Sequence, residues 1–415
     1  MPHDPIRIAH LADTHLGFTA LTRQCPDTGR NQRSIDIERA FVTTIDQIIA
    51  AGDIDLVIHA GDVFHHSRPP MHTLIFLVRQ LRRLEHAGIP TIVIGGNHDT
   101  PRLRTAGSVL DLCGIACNTV SFAGGYDWER FPLTIRGQRV VVTAVPHGAF
   151  TNEQPPDAIV GDDDAINILV AHGSYNLALT NERRGGADEI EDALLDSRYD
   201  YIALGHWHQF DRKGANVYYS GSTERIGLSD VAVTPGYALV TVGGEAGLEV
   251  KQVTLPVREH LQLPMVHADG LSAEAIVDLV ARQIERQSAR GDAIVLCGVR
   301  DTALGVDREV LRMLRNHDAV KSCWAFIPDV RSLRAAAGHA EESSPIGQLL
   351  DEFNDFVASR VTAGTYEPSF AAAFRETGRT LLEEALRGGD EARVVVAPPV
   401  EQPQAAAAMS AGGAA

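Results

Sequence analysis

No stretch of this 415-residue chain approaches the roughly 18 uninterrupted apolar residues of a spanning helix, so no membrane association is expected. The opening residues, MPHDPIRIAHLAD, carry neither a basic segment nor an apolar core, and secretion is not expected. Cysteine is scarce: Cys25, Cys113, Cys117, Cys297 and Cys323 make an odd, scattered set. Cys113 and Cys117 lie four apart, but no second pair completes a zinc site. All five read as ordinary thiols of a reducing, cytoplasmic compartment. Positive charge is short as well, with 37 Lys+Arg against 54 Asp+Glu and a net charge of -17. That argues against a generic nucleic-acid binder, which carries a basic face. Two features soften the objection. Residues 341–415 hold 12 of the acidic residues against 5 basic ones. Acidic metal ligands are also partly neutralised when divalent cations bind, so a metal site draws in phosphate without a basic chain. No internal repeat is present.

What remains is ordinary for a soluble globular protein, with 44% hydrophobic and 22% charged residues, in a chain long enough for two or three domains. Strand-type apolar runs fall at 6–12, 55–60, 91–95, 139–146, 166–171 and 201–205. Helical patterns separate the first of them. Ile37, Phe41, Ile45, Ile48 and Ile49 share one helix face, which Gly52 stops; Leu74, Leu77, Val78, Leu81 and Leu84 share another, ended by Gly88 with Pro90 beyond. Arg79, Arg82 and Arg83 on its far side read as a solvated face, with phosphate contact the lesser reading. After Gly205 the pattern turns to short strands joined by Gly turns. The natural architecture is an α/β four-layer sandwich, two mixed sheets flanked by helices.

Composition divides the chain further. Residues 1–258 form the main domain. Residues 259–330 read strand, helix, strand, helix, strand, a compact α+β capping domain. A polar linker spans 331–344. Two amphipathic helices occupy 345–388; Leu349, Leu350, Phe353, Phe356 and Val357 make the apolar face of the first, and Phe370, Phe374, Leu381, Leu382, Ala385 and Leu386 that of the second. Residues 389–415, rich in Ala, Pro, Gln and Gly, are expected to be disordered. An apolar helix face is by default core, but the linker sets these helices apart, and exposed faces of that size suit a partner.

The informative residues stand at the ends of the apolar runs: Asp13 and His15, Asp62, Asn97, His172, and His206 with His208. Open α/β sheets place their sites at the carboxyl ends of strands. Positions 13 and 15 point the same way on a strand, so one carboxylate and one imidazole can grip the same ion. Gly61 allows a tight turn before Asp62, which can bridge two cations. Asn97 offers a neutral amide oxygen, and His98 projects beside it. Singly each has a bland reading: an Asp–Gly turn is usually only a turn, and His59, His86 or His147 are packed or surface histidines. Jointly they do not, since 13 of the 17 histidines precede residue 210 and the key ones fall at strand ends in order. Hard oxygen and imidazole donors from five strand ends are the composition of a two-metal hydrolase.

The ordered set Asp13-Thr14-His15, Gly61-Asp62, Gly96-Asn97-His98-Asp99, His172 and Gly205-His206-Trp207-His208 resembles the calcineurin-like metallophosphoesterase superfamily over roughly residues 6–225. Gly61-Asp62-Val63-Phe64-His65 followed by Arg68-Pro69, in place of the general Gly-Asp-x-x-Asp, is similar to the SbcD-type DNA nuclease branch. So is Tyr219-Ser220-Gly221-Ser222-Thr223-Glu224-Arg225. The resemblance implies one metal held by Asp13, His15, Asp62 and His208 and a second by Asp62, Asn97, His172 and His206, with Mn²⁺ the best fit to these donors. It further implies that His98 stabilises the phosphoryl oxygens and protonates the leaving group, that Asp99 orients His98, and that His65 helps hold the scissile phosphate. Ser67 and Arg68 would either contact the phosphate backbone or cap a turn. The expected function is a DNA exonuclease and endonuclease, the nuclease subunit of an SbcCD-like repair or recombination complex. It would dimerise through helices of the phosphoesterase domain and dock an SbcC-type, SMC-like ATPase through the C-terminal helices. Two rivals stand beside it. A phosphodiesterase or phosphatase for small or protein phosphoesters would share the metals and suit the acidic charge. A scaffold without chemistry would have no need of seven aligned ligands.

Overall fold

The computed structural model describes residues 4–332, apart from 153–155, 157–158, 160, 176–188, 192–193, 195–197, 245–246, 288–290 and 304, together with residues 357, 374, 375 and 377. The chain divides into two units, residues 1–333 and 334–415. The linker expected from residue 331 begins later, since residues 331–332 still belong to a strand; the rest of it, the two amphipathic helices and the tail lie outside the described residues but for Val357, Phe374, Arg375 and Thr377, which are helical.

The first unit runs β1 (Ile6–Leu11), α1 (Gln32–Ala51), β2 (Leu56–His59), α2 (Met71–His86), β3 (Thr91–Ile94), α3 (Val109–Ala116), β4 (Val120–Ala123), β5 (Glu129–Ile135), β6 (Gln138–Val145), α4 (His147–Phe150) and β7 (Ile166–His172). It continues with β8 (Ser174–Tyr175), β9 (Glu189–Ile190), β10 (Tyr201–Gly205), β11 (Asp211–Arg212), β12 (Val217–Tyr219), β13 (Gly236–Val242), β14 (Glu249–Thr254), β15 (His260–Gln262) and β16 (Val266–His267). It closes with α5 (Ala273–Arg286), β17 (Ile294–Thr302), α6 (Val306–Asn316), α7 (Asp318–Ser322) and β18 (Ala325–Ser332).

Two mixed six-stranded sheets carry the architecture. Their orders are β14-β13-β1-β2-β3-β4 and β11-β12-β10-β7-β6-β5. In the first, β1 to β4 are parallel while β13 returns antiparallel to β1; in the second, β6, β7, β10 and β12 are parallel. Period-two geometry explains why the inner strands read as continuous apolar runs. Ile6 and Ile8, Leu56 and Ile58, and Ile92 and Ile94 enter the layer between the sheets, where Val140, Val142, Ile168 and Val170 meet them. Ala9, Leu11, Val57 and Val93, at the alternate positions, face the helices. There Ile37, Phe41, Ile45 and Ile48 of α1 and Leu74, Leu77, Leu81 and Leu84 of α2 cover them. This is the α/β sandwich of two sheets and flanking helices that the pattern predicts. β4 and β5 have no counterpart in the sequence reading; β5 exposes Glu129, Arg130, Pro132 and Thr134 and offers no long apolar run.

The helix ends follow local chemistry. The Asn31 side chain accepts from the Arg33 and Ser34 amides to start α1, and Gly52 closes it at φ 70°. Arg82 and Arg83 are not free on the α2 surface: Arg82 donates to the Ala116 carbonyl at the end of α3, and Arg83 pairs with Asp46. Beyond Arg258, four strands in the order β15-β17-β16, with β18 also on β17, all parallel, pack on α5, α6 and α7 around Ile276, Val280, Ile284, Val295, Val299, Val310 and Leu314. This part is tied to α1. Arg258 donates to both oxygens of Asp36 at 2.8 and 3.0 Å and lies 4.2 Å from the Trp324 ring, which Arg23 also approaches at 5.1 Å.

Candidate metal centre

The five apolar runs that end in ligand-type residues converge. Asp13 and His15 follow β1, Asp62 follows β2, Asn97 follows β3, His172 ends β7, and His206 and His208 follow β10. The carboxyl ends of parallel strands from both sheets therefore deliver all seven. The backbone pays a conformational cost to do so. Asp13 (φ 52°), His15 (φ 45°), Asp62 (φ 53°) and His206 (φ 105°) all sit in the left-handed region, about 1–3 kcal/mol each for a residue with a side chain. Hydrogen bonds hold these turns: Asp13 N to Gly61 O and His15 N to Asp62 O, both 3.0 Å, and His206 N to the Asp13 carboxylate at 3.0 and 3.1 Å.

Two glycines are dictated by space. A Cβ on Gly96 would lie 2.1 Å from Asp62 Oδ1, and one on Gly205 would lie 1.9 Å from the Ala60 carbonyl and 2.8 Å from His172 Nδ1. The Gly before a ligand is thus where the neighbouring strand's ligand passes.

The donors form two groups whose ligand atoms lie within 4.8 Å of one another: Asp13, His15 and His208, and Asp62, His172 and His206. One oxygen of Asp62, Oδ2, stands 3.6 Å from His15 Nε2 in the first group and 3.5 Å from His172 Nε2 in the second. Asn97 Oδ1 joins the second group, 3.0 Å from His172 Nε2 and 3.2 Å from His206 Nδ1. The outer nitrogens are occupied. His172 Nδ1 is 2.8 Å from the Ala60 carbonyl, and His208 Nδ1 is 2.7 Å from Asp230 Oδ2. Such bonds leave each Nε2 facing inward as a lone-pair donor. His15 Nε2 and His208 Nε2 face each other at 3.3 Å. This donor set fits two cations of the hard to borderline class, sharing Asp62.

Residues 6–210 match the calcineurin-like phosphoesterase family model. The chain belongs to the calcineurin-like phosphoesterases. Its similarity to characterised relatives runs further. The DNA double-strand break repair protein Mre11 of Haloferax volcanii is 32% identical over 305 residues, 71% of this chain and 61% of that protein. Mre11 of Methanosarcina mazei is 28% identical over 342 residues, covering 81% and 51%, and Mre11 of Halobacterium salinarum 28% over 303 residues, covering 70% and 69%. The chain spans three-fifths and one-half of the length of the first two.

The electrostatics of this phosphoesterase favour positive charge at the donor cluster. Burial pushes the Asp13 carboxyl up to about 6, against the pull of His172 and His208. Asp62 is equally buried, yet His172 and His15 hold it well below the usual carboxylate range. Burial works against a charged His172, but Asp62 and Asp13 outweigh it and raise the imidazole to about 9. Burial depresses His15 well below its ordinary value and His65 to about 4. Asp62 thus stands as an anion beside a neutral His15, while His172 holds a proton that a cation at its Nε2 would displace.

One expected role is corrected. Asp99 does not orient His98. Its carboxylate accepts from the amides of Val63 (2.9 Å), Phe64 (2.8 Å) and Gly96 (3.1 Å), fully buried, and burial together with Asp62 pushes it up to about 7. The turn after β3 aims it back beneath the Asp62 loop, so it ties the loop bearing Asp62 to the loop bearing Asn97. His98 is held instead through Nδ1 by the His65 carbonyl at 2.8 Å. His65 lies beside the cluster, stacked on His98 at 5.0 Å between ring centroids, with Nδ1 3.4 Å from His15 Nδ1. Ser67 lines a cavity next to His65 and His98, whereas Arg68 is exposed and outside that lining. His59 is a packed histidine, 3.0 Å from Thr14 Oγ1, and His86 is a surface one.

Sequence reasoning missed Asp230. It holds His208 and is itself held by the Ile226 and Gly227 amides at 2.9 and 3.2 Å. It also missed the buried Arg33, which donates to the Arg225 carbonyl and pairs with Glu224. Neither is announced by a motif or an apolar run.

The raised His172 gives a pH signature. In the metal-stripped protein its contribution to stability is fully present below pH 6.5 and is lost as pH rises through about 9. A cation at Nε2 replaces that proton, so the increment in melting temperature from added divalent metal grows from pH 6.5 to 9. Melting scans in EDTA and in metal measure it. An increment that stays flat across this window contradicts the assignment.

Proposed function

We propose that this chain is a metal-dependent DNA exonuclease and endonuclease, the nuclease subunit of an SbcCD-like complex in DNA repair or recombination. The observation that carries the reading is the placement of the donor cluster. It opens into two cavities, of 440 and 710 Å³, that share His65, Asn97 and His98. A centre open on two sides suits a phosphodiester inside a polymer, which must enter and leave, better than a closed pocket for a small ester. The similarity to Mre11 proteins points the same way.

Asp13, His15, Asp62 and His208 would hold one divalent ion, and Asp62, Asn97, His172 and His206 the other, with Mn²⁺ best matched to this donor set. Bound ions of this kind polarise phosphoryl oxygens and supply a nucleophile near neutral pH. The remaining work falls to the protein. Asp62 keeps the two groups in register. His98 Nδ1 donates to the His65 carbonyl, so in the imidazolium form the Nε2 proton is the one free to pass to a phosphoryl or leaving 3′ oxygen. The His65 ring, stacked on His98, limits its rotation. Asp230 keeps His208 in the tautomer that presents Nε2.

In this reading residues 1–258 are the nuclease domain and 259–330 a cap. Beyond a linker at 331–344, the helical segment 345–388 docks an SbcC-type, SMC-like ATPase, and 389–415 form a tail. All five cysteines are buried and free, in keeping with a cytoplasmic setting. Among the described residues no helix is long and apolar enough to cross a membrane.

The net charge of -17 favours the second reading, a phosphodiesterase or phosphatase of small or protein phosphoesters. Linear duplex DNA and bis-p-nitrophenyl phosphate, assayed side by side with Mn²⁺, separate the two. The nuclease reading expects nucleotide release that EDTA abolishes and that falls by about 10²-fold or more in Asp62→Asn and in His98→Ala. Variants that degrade DNA as fast as the parent would end it.

A homodimer is proposed through α2 and α3. Met71, Ile75, Leu112 and Ile115 are 65%, 45%, 54% and 84% exposed and surround an apolar groove of 380 Å³. Ile115→Glu is expected to convert a sedimenting dimer to monomer. A parent that sediments as monomer at micromolar concentration contradicts the proposal.

A further inference from the structure

The two cavities beside the donor cluster differ in charge. The smaller includes Asp62 and Asp230 and an apolar side of Trp207, Ile226 and Val233. The larger has no carboxylate in its lining, but four histidines and two arginines, Arg102 and Arg104. In a chain with 54 acidic against 37 basic residues, such a lining is a local reversal of the average. Three groups in that lining bear on anion binding. Arg102 is exposed and, among the described residues, makes no hydrogen bond or ion pair. Arg104 is preset, its guanidinium 4.4 Å from the Tyr126 ring centre and Nη2 2.6 Å from Asn152 Oδ1. The Tyr126 hydroxyl in turn donates to the Pro101 carbonyl, within the loop that bears both arginines. His147 is 6% exposed, lines the same cavity, and has no hydrogen-bond partner on Nδ1. A buried polar atom left unpaired is costly unless a partner satisfies it.

We infer that this cavity is a second phosphate subsite, in which Arg102 and Arg104, with His147 in the wall, hold the phosphate next along the strand from the one that is cleaved. The inference rests on the phosphodiesterase reading above and adds a direction to it. The continuing strand leaves the centre on the Thr100–Arg104 side, and the terminal nucleoside lies against Trp207. A lone cation at a surface-open cavity gains little from one weakly held counterion. Two cations aimed into one concavity hold a strand phosphate whose neighbour is already fixed at the centre.

The test is competition. Hydrolysis of bis-p-nitrophenyl phosphate by the full chain with Mn²⁺ is inhibited by a cleavage-resistant phosphorothioate tetranucleotide and, separately, by inorganic phosphate. In Arg102→Ala the inhibition constant of the tetranucleotide is expected to rise about fivefold, and further in Arg102→Glu, with the log–log salt slope reduced by about 0.7 for the lost contact. That of inorganic phosphate shifts less, because it needs only the centre. Arg282→Ala, the same charge change on α5 far along the chain, is the control and leaves both constants as in the parent. Arg102 is exposed and unbonded, so its variants are expected to melt with the parent. Equal tetranucleotide inhibition in parent and both Arg102 variants overturns the subsite. So does an equal loss for phosphate and tetranucleotide, which would assign Arg102 to the centre itself. A parent that hydrolyses the ester but is not inhibited by the tetranucleotide overturns the nucleic-acid reading instead.

Discussion

The site turns on one carboxylate. Asp62 Oδ2 stands between His15 Nε2 and His172 Nε2 at 3.6 and 3.5 Å, members of two donor groups that each draw on both sheets. Everything near it secures that placement. Its other oxygen accepts the His98 amide at 2.9 Å. Its carbonyl anchors His15, and Gly96 leaves it room. Asp99 clamps the two residues that follow it. A buried carboxylate is costly unless compensated, and here the surrounding imidazoles, or the cations they would bind, provide the compensation.

Strain and packing are two sides of the same arrangement. Four ligand-type residues hold left-handed backbone angles that a free chain would avoid. They persist because the strands behind them are rigid and doubly buried, with Ile8, Ile58, Ile94, Val142 and Ile168 all wholly excluded from solvent. The interior is stiff enough to impose turns that aim side chains along the sheet axis. The same rigidity keeps His65 and His98 stacked at the mouth, where two cavities of unlike charge meet.

Much of this is legible in the sequence, for a physical reason. Strands buried on both faces are uninterrupted apolar runs, so their ends are marked, and a Gly, Asp or His at such an end stands out. That is how Asp13, Asp62, Asn97, His172 and His206 are found before any fold is known. What stays hidden is whatever depends on a partner distant in sequence. Asp230 sits in a single 3₁₀ turn, Leu228–Ala232, too short to show periodicity, and matters only because it meets His208. Asp99 follows His98 directly, which suggests a shared task; the turn geometry sends its carboxylate to Val63 and Phe64 instead. β5 is an edge strand with exposed alternate positions, and its run is correspondingly weak.

The most direct measurement is the number of divalent ions each chain binds, by equilibrium dialysis or calorimetry after chelator treatment. Two Mn²⁺ per chain in the parent, with both sites weakened together in Asp62→Ala, is the result this account predicts. One ion or none in a folded parent, or an Asp62→Ala chain that still binds two with the parent's affinity, would contradict it.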